Sequence, residues 1–420
     1  MIRKTVLPNG VRVMTEAMPH VVSCSFGIWV ENGSRYEEAA QNGVSHFIEH
    51  LLFKGTKRRT AAQIAEEIDA VGGVLNAFTG KEYTCYYAKV LGQDLPLATD
   101  VLADIFLASE FDPAEIDRER QVVIQEISQA EDTPDDFIHD LFNLRFWEGH
   151  PLALPIFGSE QTVNTMDREL LTSFMAERYR SEKILIAAAG MIDHDKLVAD
   201  CARLFGGIPG DGRAIPIGPP AERPSVIQYE KELEQVHLCL GGPGLSQSDP
   251  LRYASYVLNT ALGGGMSSRL FQEVRERRGR VYSIYSFNSS YIDCGYLAVY
   301  AGTNREWTDE VIEVTLREIG KMVRDGLKPA ELARAKSQLK GNMLLGMEST
   351  DSRMNRLARN EIYFRREIPL EELAEQIDRV TNDQIVELAA LSFRPDRMTL
   401  VVLGDLKGRK LGPEVWSAMN

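Results

Sequence analysis

Two histidines and a glutamate lie within five residues of each other, in the order His46-Phe47-Ile48-Glu49-His50. Positions i and i+4 of a helix lie one turn apart on the same face, so His46 and His50 can bind one metal ion together. Glu49 faces the same side and can reach a metal-bound water. Imidazole nitrogens and carboxylate oxygens are ligands that zinc prefers, and a catalytic zinc site has three protein ligands and an open position. The spacing therefore predicts a catalytic zinc site.

The residues around this motif favour a buried helix. Phe47, Ile48, Leu51, Leu52 and Phe53 make the segment apolar on almost every side, which is typical of a helix inside a core. Buried polar groups need partners, and a metal ion would supply one. The alternative is a surface helix with two solvated histidines, and the apolar flanks argue against it.

A second helix offers the third ligand. Asp112 suits the N-cap and Pro113 the first helical position, and the helix is predicted to continue to about Ala130. Glu119 and Glu126 lie seven residues apart, two turns along one face, so that one can bind the metal while the other supports it. From these residues alone, two solvated charges on a helix surface remain the better interpretation, and the choice of ligand stays open.

The motif and the distal glutamates together resemble the pitrilysin family of zinc peptidases, whose His-x-x-Glu-His order is that of the inverzincins. Glu126 lies well beyond the motif in the sequence, with Glu119 one heptad before it. The family includes the insulin-degrading enzyme and the mitochondrial processing peptidase. The resemblance covers nearly the whole chain, and it is greatest to short bacterial members that resemble the processing peptidase. It implies one zinc ion per chain, bound by His46, His50 and Glu126. It also implies that Glu49 is the general base, and that Glu119 supports catalysis without being a main ligand.

The same resemblance extends to substrate binding. The segment 72–88 corresponds to the hairpin that forms the substrate-facing edge of the sheet in the family. Asn76, Ala77 and Phe78 are therefore expected to align an extended peptide by adding it to that edge.

A second substrate-binding element is implied in the C-terminal half. Arg275 and Tyr282 are seven residues apart, as in the family's Arg/Tyr substrate-binding pair. A guanidinium and a phenol can donate to a peptide carbonyl or to the oxyanion that develops on it. Without the resemblance, the basic run around Arg275 would be interpreted as a solvated helix end.

The chain contains an internal repeat. Half of residues 205–224 are Gly or Pro, which predicts a linker. The helix, basic turn and strand that end at Gly190 recur, in the same order and with the same spacing, in the segment that ends at Gly404. Self-similarity of this kind indicates two domains of one fold. We predict an α+β protein of two homologous α/β-sandwich domains, 1–205 and 225–420, joined by the linker 206–224. Each domain is expected to be a mixed or antiparallel sheet with helices packed on it.

The repeat is asymmetric where chemistry is expected. When the segment that starts at Asp112 is aligned with the one that starts at Lys328, Glu126 corresponds to Asn342 and Glu119 to Ala335. No His-x-x-Glu-His occurs after residue 220. A purely structural carboxylate should occur in both copies. The asymmetry therefore favours a metal site in the first domain alone.

The composition limits the classes of binding partner and the cellular compartment that we expect for this protein. The 420 residues carry a net charge of −14 and five scattered cysteines without a C-x-x-C pair. Such a charge argues against nucleic acid or an anionic membrane as main partner, and such cysteine usage predicts a reducing, cytoplasmic compartment. We expect no signal segment, because the first residues predict a strand.

The expected function is that of a zinc-dependent endopeptidase or oligopeptidase acting on unfolded peptides or flexible protein ends. The family's clamshell of four domains implies a homodimer, in which Arg275 and Tyr282 of one protomer serve the zinc of its partner. Two alternatives remain open. One is a processing peptidase that trims basic presequences, and the other is a catalytically idle assembly subunit.

Overall fold

The computed structural model describes residues 1–210 and 217–419. Part of the predicted linker, residues 211–216, lies outside the described residues. By its contacts the chain divides into two compact units, and each unit is discontinuous in sequence. The first consists of Met1–Gln129, Leu154–Ile217 and Gly346–Glu367. The second consists of Ala130–Ala153, Gly218–Leu345 and Ile368–Asn420.

The structure contains strands and helices in both halves of the chain. The strands are β1 (Ile2–Val6), β2 (Arg12–Ala17), β3 (Ser23–Val30), β4 (Val74–Thr79), β5 (Thr84–Leu91), β6 (Ile184–Gly190), β7 (Ser225–Tyr229), β8 (Val236–Pro243), β9 (Val281–Ser290), β10 (Gly295–Thr303) and β11 (Thr399–Leu403). The helices are α1 (Val44–Leu52), α2 (Ala61–Asp69), α3 (Leu95–Ala108), α4 (Pro113–Glu131), α5 (Pro134–Phe146), α6 (Glu160–Asn164), α7 (Arg168–Arg178), α8 (His194–Phe205), α9 (Arg252–Gly263), α10 (Thr308–Asp325), α11 (Pro329–Gly346), α12 (Thr350–Phe364), α13 (Leu370–Arg379) and α14 (Asn382–Ser392).

The two sheets have the same topology. The first has the strand order β1-β2-β6-β3-β5-β4 and the second β7-β11-β8-β10-β9. In each sheet one neighbouring pair is parallel, β2 with β6 and β7 with β11, and the other pairs are antiparallel. With β1 set aside, the two orders correspond strand for strand. This correspondence confirms the predicted fold class, two homologous domains with mixed sheets.

Both faces of the first sheet are buried, as β6 shows. Its sequence, ILIAAAG, is fully buried, and alternate residues of a strand point to opposite faces. Ile184, Ile186 and Ala188 join the larger hydrophobic cluster, which also contains the apolar side chains of α1 and α3. Leu185, Ala187 and Ala189 point to the opposite face and join a smaller cluster. That cluster also contains side chains of α12, namely Met354, Leu357, Ala358 and Ile362. A helix from the C-terminal part of the sequence therefore covers this second face of the first sheet, which we call the outer face.

The second unit is completed in the reciprocal way. Helix α5 lies in the N-terminal half of the sequence, yet Ile138 and Phe142 of α5 pack in one cluster with Tyr296 and Val401 of the second sheet. Each repeat thus contributes one helix to the unit built around the other repeat's sheet. The compact units therefore differ from continuous segments of the sequence by the exchange of these two helices. Among the described residues, no helix is long and apolar enough to cross a membrane.

Candidate metal centre

Helix α1 begins at a carboxylate cap. Both oxygens of Glu37 accept backbone hydrogen bonds at its start, from Gly43 N at 2.8 Å and from Ser45 N at 2.8 Å. The Asn42 side chain donates to the same carboxylate. Gly43 adopts a φ of 97°, and a Cβ there would lie 2.6 Å from the carbonyl oxygen of Phe157. Glycine is therefore required at the residue that turns the chain into this helix.

The two histidines of α1 lie side by side. The ring centroids of His46 and His50 are 4.6 Å apart. His46 is buried, with 7% of its surface exposed, and its ring contacts that of Phe157 edge-on. This is the arrangement that the i, i+4 spacing predicts. The helix is as buried as its apolar flanks indicated, because seven of its nine residues are buried.

Helix α4 brings its glutamates to these histidines. Ile116 and Val123 of α4 share a hydrophobic cluster with Phe47 and Leu51 of α1. The Arg120 guanidinium fixes the helix further, because it donates to the carbonyl oxygen of Met166 at 2.9 Å. The helix bounds agree with the predicted start after Asp112, whose Oδ1 accepts from the backbone of the first turn.

Glu126 faces both imidazoles. Its Oε2 lies 3.4 Å from His50 Nε2 and 3.7 Å from His46 Nε2. One ligand atom from each of the three residues lies within 4.8 Å of the other two. In the described part of the chain, this is the one group of three or more His, Cys, Asp or Glu side chains that meets this criterion. The structure thus brings together the three residues expected to bind zinc.

The donor set fits a zinc ion. Glu126 Oε2 is buried and has no hydrogen-bond partner among the described residues. Two ligands bound at 2.0–2.1 Å to a tetrahedral zinc are separated by about 3.4 Å, close to the distances from this oxygen to the two nitrogens. Those distances are long for hydrogen bonds and suit ligands of a shared cation. Two nitrogens and one oxygen also form a donor set typical of catalytic zinc.

The surroundings of His46 favour its neutral form, which is the form that can bind a cation. Burial lowers the pKa of His46 to about 3, and the neighbouring His50 lowers it further. His46 is therefore neutral near pH 7, and a neutral imidazole can donate a lone pair to a metal.

Glu49 lies beside the same centre and bonds to the end of β4. The Thr79 hydroxyl, on the last residue of β4, donates to Glu49 Oε2. Burial raises the pKa of Glu49 above its ordinary value, while the hydrogen bond from Thr79 opposes the rise. A carboxyl group with a raised pKa suits general base catalysis near neutral pH.

Glu119 contacts the other side of His50. Its Oε2 lies 3.1 Å from His50 Nδ1, and its Oε1 lies 2.7 Å from Lys54 Nζ. Glu119 is buried, with 5% of its surface exposed. It is therefore placed to orient the His50 ring rather than to contribute a ligand atom to the group of His46, His50 and Glu126.

The predicted substrate edge borders the centre. Asn76, Ala77 and Phe78 lie in β4, the last strand of the first sheet, which pairs with β5 alone among the described strands. The Ala77 N–H donates to the Asn76 side chain at 2.8 Å. Through the Thr79 contact, the end of this strand touches Glu49.

The predicted Arg/Tyr pair lies in the second unit. Arg275 belongs to a short π-helix, Phe271–Glu276, and Tyr282 is the second residue of β9. The Arg275 guanidinium lies 5.6 Å from the centroid of the Tyr282 ring. Tyr282 is 79% exposed, so the structure brings the two side chains together at a surface.

Three contributors were not found from the sequence: Glu37, Thr79 and Lys54. Lys54 follows His50 by four residues, but it lies in the turn after α1, so helical spacing does not predict its contact with Glu119. Thr79 lies inside the hairpin segment already singled out, but nothing local pairs it with Glu49. Glu37 acts across a loop, and no spacing rule connects it to the helix that it caps.

Sequence profiles of one peptidase family match both halves of this chain. The sequence profile described as "Insulinase (Peptidase family M16)" matches residues 12–160. The profile described as "Peptidase M16 inactive domain" matches residues 165–339. The first match contains all five residues of the zinc motif and both distal glutamates.

Several bacterial relatives match over nearly their full length. A protein of Streptomyces coelicolor named as an uncharacterized zinc protease is 42% identical, covering 97% of this chain and 91% of the relative. One of Bacillus subtilis with the same description is 41% identical, covering 94% and 97%. One of Mycobacterium tuberculosis is 43% identical, covering 99% and 96%.

Two solved structures share the fold. The crystal structure titled as a peptidase M16 inactive domain from Pseudomonas fluorescens superposes with a TM-score of 0.90 at 20% identity, covering 98% of this chain and all of that one. A protease from Helicobacter pylori superposes with a TM-score of 0.88 at 21% identity, covering 96% and 99%.

Proposed function

The chain belongs to peptidase family M16, the insulinase family, and we propose that this zinc metallopeptidase hydrolyses unfolded peptides or flexible protein ends. The observation that carries the proposal is the convergence of His46, His50 and Glu126 from two helices onto one point. We propose one zinc ion per chain, held by these three residues.

In the proposed mechanism, Glu49 moves the protons. When bound, zinc supplies Lewis-acid chemistry that polarises the scissile carbonyl and acidifies the attacking water. The Glu49 carboxylate takes a proton from that water as it attacks and then passes it to the departing amine. Thr79 holds the carboxylate by donating to Oε2, and Glu119 holds the His50 ring through Nδ1.

We further propose that β4 positions the substrate. An extended peptide that pairs with the open side of β4 gains main-chain hydrogen bonds that depend little on its side chains. The Ala77 N–H, which now donates to Asn76 Oδ1, would exchange that acceptor for a peptide carbonyl. Because Thr79 ends the same strand, a docked peptide would run past Glu49.

The Arg275 and Tyr282 pair is proposed to bind the substrate carbonyl, and the protein is proposed to be a homodimer in which this pair serves the partner's zinc. Support for the pair comes from the exposure of Tyr282 and from the contact between the two side chains in the second unit. Support for the dimer comes from the family resemblance alone. A cytoplasmic location is proposed because all five cysteines, which lie within the described residues, are free of disulfides.

The two alternatives make different predictions for this site. An idle assembly subunit does not need the complete set of catalytic residues. The proximity of the three proposed ligands, the hydrogen bond to the proposed general base and the Glu119–His50 contact support an active enzyme instead. A presequence-processing enzyme would need a basic recognition element in its substrates, whereas an oligopeptidase would not.

The decisive experiment replaces Glu49 by Gln. We expect kcat on a quenched fluorescent peptide to fall by about 10²–10⁴-fold, the usual contribution of a general base, while zinc content stays equal to that of the wild type. A Glu38→Gln variant, changed at an exposed residue, is the control and should cleave normally. Full activity in Glu49→Gln would remove Glu49 from its role, and an inactive wild type with bound zinc would favour the idle subunit.

A further inference from the structure

Lys54 makes an ion pair directly behind the proposed zinc site. It lies in the turn that follows α1, four residues after His50, and its Nζ is 2.7 Å from Glu119 Oε1. The other oxygen of Glu119 meets His50 Nδ1 at 3.1 Å. The three side chains therefore form a line from a cation, through a buried carboxylate, to an imidazole that faces Glu126 with its remaining nitrogen.

His50 is placed between two carboxylates of one helix. Glu119 faces Nδ1 and Glu126 faces Nε2, and both carboxylates come from the same face of α4. Either glutamate is chemically able to bind a divalent cation. What distinguishes them is their surroundings, because Glu119 is paired with Lys54 and 7% of its side chain is exposed, whereas 36% of the Glu126 side chain is exposed.

A buried carboxylate without a cation partner is costly, and it turns towards whatever positive charge lies near. The Lys54 ammonium provides that charge on the side away from Glu126. A charge-assisted hydrogen bond of this kind also fixes the plane of the carboxylate. With Glu119 fixed, its second oxygen accepts the Nδ1–H of His50, and the lone pair of Nε2 is left for a metal.

We propose that Lys54 is a positioning residue of the zinc site. Acting through Glu119, it fixes the orientation of His50 and holds Glu119 on Nδ1 instead of on the metal, so that Glu126 is the ligand. This inference rests on the proposed function, since it concerns how the same site binds its zinc.

The test measures the dissociation constant for zinc by competition with a chromophoric chelator. In Lys54→Met, which keeps the length of the side chain but not its charge, we expect zinc to bind about 10–100-fold more weakly, the loss typical of removing a partner behind a metal-bound histidine. Lys54→Arg keeps the charge and should restore binding to within a few-fold. Lys57→Met, an exposed lysine three residues away, should bind zinc like the wild type.

A double-mutant comparison separates positioning from general loss of structure. Glu119→Gln should weaken zinc binding by itself, and adding Lys54→Met to it should weaken binding no further, because Lys54 acts through Glu119. The melting temperatures of the metal-free variants report on folding independently. Multiplicative losses in the double variant, failure of Lys54→Arg to restore binding, or normal zinc affinity in Lys54→Met would each overturn the proposal. A wild type that binds no zinc would instead contradict the proposed function, whatever Lys54 does.

Discussion

At the scale of single residues, the centre depends on side chains that orient other side chains. The His46, His50 and Glu126 group is held by a carboxylate behind His50 and by a cap at the start of α1. A metal ligand that can rotate freely binds weakly, because its orientation must be fixed at the moment of binding. Residues that never touch the metal should therefore affect its affinity.

Glu37 provides a test of this dependence on helix capping. Glu37→Ala leaves two buried backbone N–H groups at the start of α1, those of Gly43 and Ser45, without an acceptor. This should cost about 1–3 kcal/mol for each group left unpaired. We expect the metal-free protein to melt at a lower temperature and to bind zinc more weakly. Thermal unfolding and chelator competition measure the two effects.

The neighbouring Glu38 is the matched control for this variant. It is exposed, and Glu38→Ala should change neither the melting temperature nor zinc affinity. An unchanged melting temperature in Glu37→Ala would show that the cap does not stabilise α1.

The sequence predicted the proposed ligands because each lies at a fixed helical spacing. His46 and His50 share a face by their i, i+4 relation, and Glu119 and Glu126 share one by their heptad. Spacing alone left open which glutamate is the ligand, because we propose that this choice depends on Lys54, which lies outside the helix of the two glutamates. Thr79 and Glu37 were missed for the same reason, because their contacts are made between segments that are distant in sequence.

At the scale of elements, the open side of β4 is the feature that links binding to chemistry. The strand is the last of its sheet, and its final residue donates to Glu49. An unpaired strand edge is a template for another extended chain. In the proposed enzyme, that template is used for the substrate.

Replacing Ala77 by proline should weaken substrate binding without affecting the metal. Proline removes the N–H that now donates to Asn76, and an edge strand tolerates it. The loss of one main-chain hydrogen bond, about 1 kcal/mol, should raise KM roughly fivefold or more. Steady-state kinetics with a quenched peptide measures the change.

Ala77→Ser keeps the N–H and should retain the wild-type KM. Zinc affinity should be equal in both variants. If Ala77→Pro cleaved peptides with an unchanged KM, β4 would not be the docking strand.

At the scale of the whole molecule, the exchange of helices makes the two sequence repeats interdependent. The first repeat, residues 1–205, contains α5 but lacks α12. Without α12, the outer face of its sheet loses the cover of Met354, Leu357 and Ala358, which lie in one cluster with Trp29 and Leu185. Fully burying such a Leu or Met side chain contributes about 1.5–3 kcal/mol, a large share of a domain's stability.

A fragment of residues 1–205 should therefore not fold by itself. We expect broad or aggregated behaviour in size-exclusion chromatography and no cooperative melting transition. Adding residues 346–367 through a flexible linker should restore a cooperative transition. A fragment that melts cooperatively without α12 would show that the outer face needs no such cover.

Self-similarity of the sequence predicted two repeats of one fold with mixed or antiparallel sheets, but it did not predict this exchange. A strand such as β6, ILIAAAG, indicates burial on two faces without indicating which helix covers the second face. Helix α5 follows α4 in the first repeat as α12 follows α11 in the second, so the two occupy corresponding places. The local sequence pattern of such a helix therefore does not indicate whether it packs on the sheet of its own repeat or on that of the other repeat.

The proposed homodimer has a separate test in complementation. Arg275→Ala chains and Glu49→Gln chains should each be inactive as homodimers. After subunit exchange, a mixed dimer should regain one of its two sites, so that random mixing restores about a quarter of wild-type activity. No recovery, despite mixed dimers seen by mass spectrometry, would argue against service between protomers.

In the proposed enzyme, one zinc ion is bound jointly by α1 and α4. Anomalous diffraction at the zinc absorption edge, from crystals of the zinc-loaded wild-type protein, tests it most directly. We predict one strong peak per chain, within about 2.0–2.2 Å of His46 Nε2, His50 Nε2 and a Glu126 oxygen. An anomalous peak at a different position would contradict joint binding by α1 and α4. So would a zinc ion that is bound by the two histidines while the Glu126 side chain points away from it.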